Sequence, residues 1–221
     1  MLQAQTTPQP PLRLINVTGT GEVKVKPNEA VINLGVESRS KSLDEARKQT
    51  DEKVRDVIKV LKSNGIDEKE IQTTYLNLHP DYERNHQTGQ VTQTSYIASK
   101  GMTVVVKDLK KLEDLMIALG KTGLNRLDGI QFRTSELEKH RAAARKLAVA
   151  AAREKANALT TDLGVKTGMV QTINEVNFSS GPRPMMYNTK MDMAMAESGG
   201  SSIEPGQITI SETVEVSFRI E

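Results

Sequence analysis

Methionine is the residue type whose spacing in this sequence most invites a chemical interpretation. Five of the nine methionines stand close together, at Met185, Met186, Met191, Met193 and Met195. Thioether sulfurs are soft ligands for Cu(I), so this group could wrap one copper ion in an oxidising compartment. The same side chains could be oxidised reversibly, or could form an adaptable apolar surface for another subunit. Three interpretations follow: a copper site, an oxidation-sensitive surface, and a mobile or subunit-contacting loop.

The three histidines form a second set of candidate ligands. His79 and His86 bracket Asp81 and Glu83 in the segment HPDYERNH. Imidazoles and carboxylates can bind zinc or copper, but their spacing here matches no known site. A polar surface loop is therefore the favoured interpretation of the segment. His140 lies in the charged stretch EKHRAAAR, which predicts a solvated helical residue.

Catalytic motifs are missing from the sequence. There is no Gly-x-Ser-x-Gly elbow, and the absence of cysteine excludes thiol catalysis, disulfides and zinc-thiolate sites. Gly19-Thr20-Gly21 begins like a dinucleotide fingerprint but lies between strand-like pieces, so we expect a bulge or close strand packing there. The sequence predicts no enzyme, no cofactor and no defined small-molecule substrate.

Composition and charge limit the partners. The chain has 221 residues, 37% of them apolar, and a net charge of +2 with basic and acidic residues interspersed. No basic block forms a phosphate-binding footprint, so nucleic acid is not an expected partner. No apolar run approaches the roughly 18 residues of a membrane-spanning helix.

The first residues, MLQAQTTPQPP, bear on location. Leu2-Gln3-Ala4 before Gln5 resembles the remnant of a small-residue cleavage site, which predicts a trimmed, exported chain with a disordered start at residues 1–13. The alternative is a cytoplasmic protein with a frayed polar end.

Hydrophobic periodicity predicts an α+β fold with antiparallel or mixed sheets and two longer helices and one short helix packed on them. The predicted order is β-β-α-β-β-α-β-α-β-β, with the first two strands forming a hairpin around Pro27-Asn28. Capping boxes at Ser42-x-x-Glu45 and Ser135-x-x-Glu138 mark the starts of the longer helices. Two subdomains are predicted, at 14–82 and 91–221, with a methionine-rich insertion at 179–205; strand exchange could merge them.

The predicted helix exits resemble one another. Gly65-Ile66, Gly123-Leu124 and Gly164-Val165 each precede an apolar-Gln strand start. The glycine is a left-handed helix stop, which predicts one supersecondary unit used three times. Duplication and local helix-to-strand geometry both explain the pattern.

Alanine dominates the last predicted helix, which should run from Glu136 to Leu163. Small side chains let a neighbouring helix or sheet approach closely, and Ala148 and Ala151 are the candidate oligomer contacts. The alternative is that this face packs within the monomer.

Four segments together resemble the SIMPL domain family: VTGTGEVKVKPNEAVINLGVESRSKSLDEA, NGIDEKEIQT followed by LHPDYE, KLAVAAAREKANALTTDLGV, and IEPGQITISETVEVSFRI. The resemblance runs from about Ile15 to Ile220 and depends on the order and spacing of these segments. It implies an α+β fold, export to the periplasm or outer membrane, ring-like or channel-like oligomers, and a role in envelope or oxidative stress. It implies no agreed catalytic residues.

Two hypotheses for function result. The first is a non-enzymatic, periplasmic envelope protein that forms a homo-oligomer. The second is a metal-binding or oxidant-scavenging module that uses the methionine-rich segment.

Overall fold

The computed structural model describes residues 12–176, 183–184 and 203–221. The helices are α1 (Leu43–Ser63), α2 (Leu112–Gly120) and α3 (Leu137–Asp162). The strands are β1 (Leu14–Val25), β2 (Glu29–Ser40), β3 (Ile71–Arg84), β4 (Val91–Val106), β5 (Arg126–Arg133), β6 (Thr167–Val176), β7 (Arg183–Pro184) and β8 (Ile208–Ile220). The α+β class is confirmed, and the described strand pairs are all antiparallel.

These residues form two compact units. Unit 1 comprises 12–25, 136–176, 183–184 and 207–221, and unit 2 comprises 26–135 and 203–206. The structure therefore divides the chain differently from the sequential subdomains 14–82 and 91–221. Strands β3 and β4, which flank the expected boundary, are hydrogen-bonded neighbours in one sheet.

The predicted hairpin of the first two strands was wrong. Strand β1 pairs with β8, whereas β2 pairs with β4 and β5. The expected turn residue Asn28 is bonded to the end of β5 instead: its backbone N–H donates to the Arg133 carbonyl at 3.1 Å. The Asn28 side chain also accepts a hydrogen bond from the Ser135 N–H at 2.9 Å. Asn28 thus fixes the start of β2 against β5.

Unit 2 has a four-stranded sheet in the order β3-β4-β2-β5. Ile32, Leu34 and Val36 alternate along β2 and face α1, as the period of two predicted. Large aliphatic side chains complete this core, namely Val54, Val57, Leu61, Met102, Val104, Val106, Leu112, Leu115 and Leu119. Burial of these large side chains stabilises the unit.

Unit 1 has strands in the order β1-β8-β6, with β7 also pairing with β8. Helix α3 packs on β1 and β8. The apolar core residues of the helix are alanines, at Ala148, Ala152 and Ala156, and they pack with Val214, Val216, Phe218 and Val17.

The helices begin close to the predicted residues, but the predicted capping hydrogen bonds are absent. Helix α1 follows Ser42 and α3 begins two residues after Ser135, but neither helix has a side-chain capping hydrogen bond. The Ser135 hydroxyl accepts a hydrogen bond from the Asn28 side-chain amide at 2.8 Å instead. Gly65 and Gly164 have the predicted left-handed backbone, with φ of 83° and 70°.

The supersecondary unit occurs twice, not three times. Gly123 lies three residues beyond the end of α2 and has no positive φ. After Gly65 and Gly164, the chain enters β3 and β6, which pair with β4 and β8 respectively. The orders β3-β4-β2 and β6-β8-β1 correspond strand for strand, so both units contain a β-α-β-β arrangement.

Candidate assembly and binding surfaces

Helix α3 approaches β1 so closely that two backbones touch. A Cβ atom on Gly19 would lie 2.1 Å from the Ala148 carbonyl oxygen, and one on Gly21 would lie 2.1 Å from the Ala144 carbonyl oxygen. No real side chain fits at such a distance, so both positions require glycine. The glycines that resemble a dinucleotide fingerprint therefore serve close packing of a helix on a strand.

The two predicted contact residues on α3 have different surroundings. Ala148 is fully buried against β1 within unit 1. Ala151 is half-buried. It follows Leu147 by one helical turn, and the Leu147 Cβ lies 2.7 Å from the Cβ position of Gly21. Of the two, only Ala151 could be reached by another copy, together with its neighbour Leu147. Their role in assembly stays a prediction.

Each unit has two outer strands with one side unpaired among the described residues, β1 and β6 in unit 1 and β3 and β5 in unit 2. Strand β1 pairs only with β8, and β3 pairs only with β4. In unit 2 the strand that corresponds to β1 is β2, and its other side is occupied by β5. Open edges carry unpaired N–H and C=O groups and can accept a strand from another chain.

The outer part of the β3–β4 hairpin extends past β2. The last β2 residue in the ladder is Ser40, opposite Tyr96, so residues 81–84 and 91–95 pair only with each other. An ion pair between Arg39 and Asp81, at 3.2 Å, ties its base to β2. Exposed apolar side chains continue along this hairpin, at Leu76, Leu78, Tyr82 and Val91.

The candidate histidine ligands are dispersed. His79 lies within β3 opposite Ile97 and not in a loop, while His86 lies in the exposed turn of the hairpin. His140 is half-buried, not fully solvated, and its Nε2 lies 3.9 Å from a Glu136 carboxylate oxygen. Within the described ranges, no three His, Asp or Glu side chains form a group that could hold a metal ion.

The methionine cluster lies outside the described residues. Met185, Met186, Met191, Met193 and Met195 all belong to the range 185–202, between β7 and the segment that leads into β8. The copper, oxidation and subunit-contact interpretations therefore stay predictions.

An apolar groove in unit 1 was not predicted from the sequence. We call it the α3–β6 groove; its volume is about 310 Å³, and its apolar residues are Val149, Met169, Val170, Ile173, Val216 and Phe218. Arg153 and Asn157 line it from α3. Helix α3 rests on β1 and β8, which leaves the apolar residues of β6 uncovered. The sequence feature that could have indicated the groove is the apolar set Met169, Val170 and Ile173. These residues do not follow a period of two, because β6 contains register shifts.

The charges along α3 are unevenly paired. Arg145 donates to Glu175 on β6 at 2.7 Å, and this hydrogen bond, followed by the charge of Glu175, raises the pKa of Arg145. Arg141 lies 3.2 Å from Glu138 and 3.5 Å from Glu212. Arg153 has no ion pair within the described part of the chain.

Residues 15–218 match the profile of the SIMPL family, which is described as "Protein of unknown function (DUF541)". The chain is similar to "Uncharacterized protein YggE" of Escherichia coli K12, with 29% identity over 220 residues that cover 100% of this chain and 88% of the relative. It is similar also to the "26 kDa periplasmic immunogenic protein" of Brucella melitensis, with 30% identity over 224 residues that cover 98% and 88%. The Brucella abortus protein of the same name is likewise 30% identical. No helix in the described ranges is long and apolar enough to span a bilayer.

Proposed function

This chain belongs to the SIMPL family, and from that premise we propose that it is a non-enzymatic protein of the bacterial envelope that functions as a ring-like or channel-like homo-oligomer. We place its role in envelope or oxidative stress. The name of the Brucella relatives, a periplasmic immunogenic protein, supports the periplasm as its location.

The observation that carries the proposal is that each unit has open strand edges, and that the proposed contact uses a different edge from each unit. Strand β1 has an open edge in unit 1 and β3 has one in unit 2, considering the described strands. Pairing of β3 from one copy with β1 of the next would be a head-to-tail contact. Repeated head-to-tail contacts generate a ring when the rotation between copies closes.

The correspondence between the two units gives this contact a structural precedent. In unit 2 a fourth strand, β5, occupies the outer side of β2. An incoming β3 would supply the same fourth strand to unit 1, next to β1. Backbone hydrogen bonds would then be satisfied at two edges that water otherwise covers.

Apolar side chains near both edges favour protein contact over solvent. Leu76 and Leu78 are exposed on β3, with side chains on the face of the sheet that carries α1, since they lie opposite Lys100 and Ala98. Near β1, Leu147 is half-exposed on α3 and Ala151 lies one turn further along. In a continuous sheet with both helices on one face, Leu76 and Leu78 would contact this side of α3.

The test is the mass of the protein in solution, measured by light scattering on the unmodified chain and on single variants. The unmodified chain should form a particle of several subunits. Leu78→Lys and Ala151→Glu should each reduce it to smaller species, because both place a charge in the contact. Ile117→Lys is the matched control, since Ile117 is an exposed apolar residue on α2 and belongs to neither edge strand.

A monomeric unmodified chain would overturn the proposal. An oligomer that persists in both Leu78→Lys and Ala151→Glu would reject these edges as the contact. Thermal unfolding of each variant separates lost assembly from lost folding, because both residues are partly exposed in the single chain.

A further inference from the structure

The α3–β6 groove has a closed apolar floor and open apolar walls. Val216 and Phe218 of β8 form the floor and are only 4% and 5% exposed. Met169 and Ile173 of β6 stand on the rim and are 70% and 66% exposed. Large exposed apolar side chains grouped around a cleft are typical of a binding surface, whereas scattered ones are not.

The groove becomes polar toward one end. Val149, Arg153 and Asn157 follow one another at intervals of four residues, so they share the face of α3 that lines the groove. This face changes from apolar to polar toward the end of α3, where Thr160 and Thr167 join helix to strand with a hydroxyl–hydroxyl hydrogen bond of 2.8 Å. Toward the start of α3, the Arg145–Glu175 pair neutralises both of its charges.

Arg153 is therefore the cation that a ligand would meet. Arg141 and Arg145 on the same helix each have a carboxylate partner, whereas Arg153 has none among the described residues. A guanidinium presents several donors in a planar fork that matches a carboxylate. The charge at this end of the groove is thus complementary to an anion.

The size of the groove limits the rest of the ligand. A volume of about 310 Å³ is at the lower end of the range for small-molecule sites, roughly 300–1,000 Å³. One alkyl chain fills such a space, while the two chains of a phospholipid exceed it.

We infer that the α3–β6 groove binds a single-chain amphiphile with a carboxylate headgroup, of the fatty-acid class. The alkyl chain lies along Val149, Val170 and Ile173 above the floor, and the carboxylate pairs with Arg153. This site is separate from the strand edges proposed for assembly, so binding per chain is independent of the oligomeric state.

Calorimetric titration of the full chain with sodium laurate, below its micellar concentration, tests the inference. Binding should saturate at one laurate per chain. Affinity should rise from decanoate to laurate by up to about fourfold for each methylene that becomes fully buried. Dodecanol, which lacks the charge, should bind about tenfold more weakly than laurate.

Two variants with matched controls locate the site. Arg153→Gln should weaken laurate binding about tenfold and leave dodecanol binding unchanged. Lys155 lies two residues from Arg153 and does not line the groove, so Lys155→Gln should change neither laurate binding nor dodecanol binding. Ile173→Asp should abolish laurate binding, whereas Ile117→Asp, at a residue that is 56% exposed in unit 2, should not.

Several outcomes would overturn the inference. Equal binding of laurate and dodecyltrimethylammonium would reveal adsorption to apolar surface without a carboxylate site. Normal laurate binding by Ile173→Asp, with the fold confirmed by circular dichroism, would place the ligand elsewhere. Binding to phosphatidylglycerol vesicles with no binding of monomeric laurate would identify a membrane surface instead.

Discussion

Unit 1 and unit 2 both lay a helix on an antiparallel sheet, but with side chains of opposite size. In unit 2, α1 presents Val54, Val57 and Leu61 to the sheet. In unit 1, α3 presents Ala148, Ala152 and Ala156, and Gly19 and Gly21 of β1 pack against the helix backbone. Unit 2 gains stability from the burial of branched side chains, whereas unit 1 gains it from close contact between backbones. Different kinds of substitution should therefore destabilise the two units.

Adding a side chain at the closest contact of unit 1 should have the largest effect. Gly19→Val would place atoms against the backbone of α3 and should lower the free energy of unfolding by about 3 kcal/mol or more. The measurement is urea unfolding followed by circular dichroism. Gly120→Ala is the control, because no atom lies within 4 Å of a Cβ there. Equal stability of the two variants would contradict backbone contact in unit 1.

Removing volume from unit 2 should come next. Leu61→Ala should lower the free energy of unfolding by about 2–5 kcal/mol, because Leu61 is fully buried and its loss leaves a cavity. Leu163→Ala is the matched control, since Leu163 is 75% exposed. The same unfolding measurement applies, and a small effect of Leu61→Ala would refute the assignment of this core.

Removing a methyl group from unit 1 should cost much less. Ala152→Gly should lower the free energy of unfolding by only about 1 kcal/mol, mainly through the lower helix propensity of glycine. Ala142→Gly, on the exposed side of α3, measures that propensity term alone. For each unit, the loss of unfolding free energy in the core variant is compared with that in its control. If the difference between Ala152→Gly and Ala142→Gly were as large as that between Leu61→Ala and Leu163→Ala, the distinction between the units would be wrong.

The titration of surface ion pairs should have the smallest effects on stability, one at acidic pH and one at alkaline pH. In unit 1, the hydrogen bond from Lys139, followed by its charge, lowers the pKa of Glu136 below its ordinary value of 4.5. Its contribution to stability is present above pH 4.5 and is lost as the pH falls through the lowered pKa. NMR titration should show that Lys139→Met returns the pKa of Glu136 toward its ordinary value.

Unit 2 offers the converse case. The hydrogen bond to Glu70, followed by its charge, raises the pKa of Lys107 above its ordinary value of 10.5. The stabilising contribution of Lys107 is present below pH 10.5 and is lost as the pH rises through the raised pKa. Glu70→Gln should lower the pKa of Lys107 in the same NMR experiment, and an unchanged value would show that the pair does not persist in solution.

Local features of the fold were predictable because their causes are local. Period-two alternation along β2, the apolar spacing of α1 and the left-handed glycines at Gly65 and Gly164 each depend on residues near in sequence. The α+β class followed from these features. The helix starts were placed within two residues, although the predicted capping hydrogen bonds are absent.

Strand partners could not be predicted in the same way. Alternation in β1 shows which side chains face the core, but it does not show which strand lies alongside. The partner of Leu14 is Arg219, at the far end of the chain, while the nearer β2 pairs in another sheet. The α3–β6 groove was missed for a related reason, since it depends on where α3 lies across the sheet and on the register shifts in β6.

The pairing of β1 with β8 has a consequence for synthesis. Residues 26–135 contain every strand and helix of unit 2, so its sheet can form once they have left the ribosome or the export channel. Strand β1 emerges earlier but must wait for β8, the central strand of unit 1 and the last to appear. Proteolytic trimming that removed residues 208–220 would therefore leave β1 and β6 without their common partner strand.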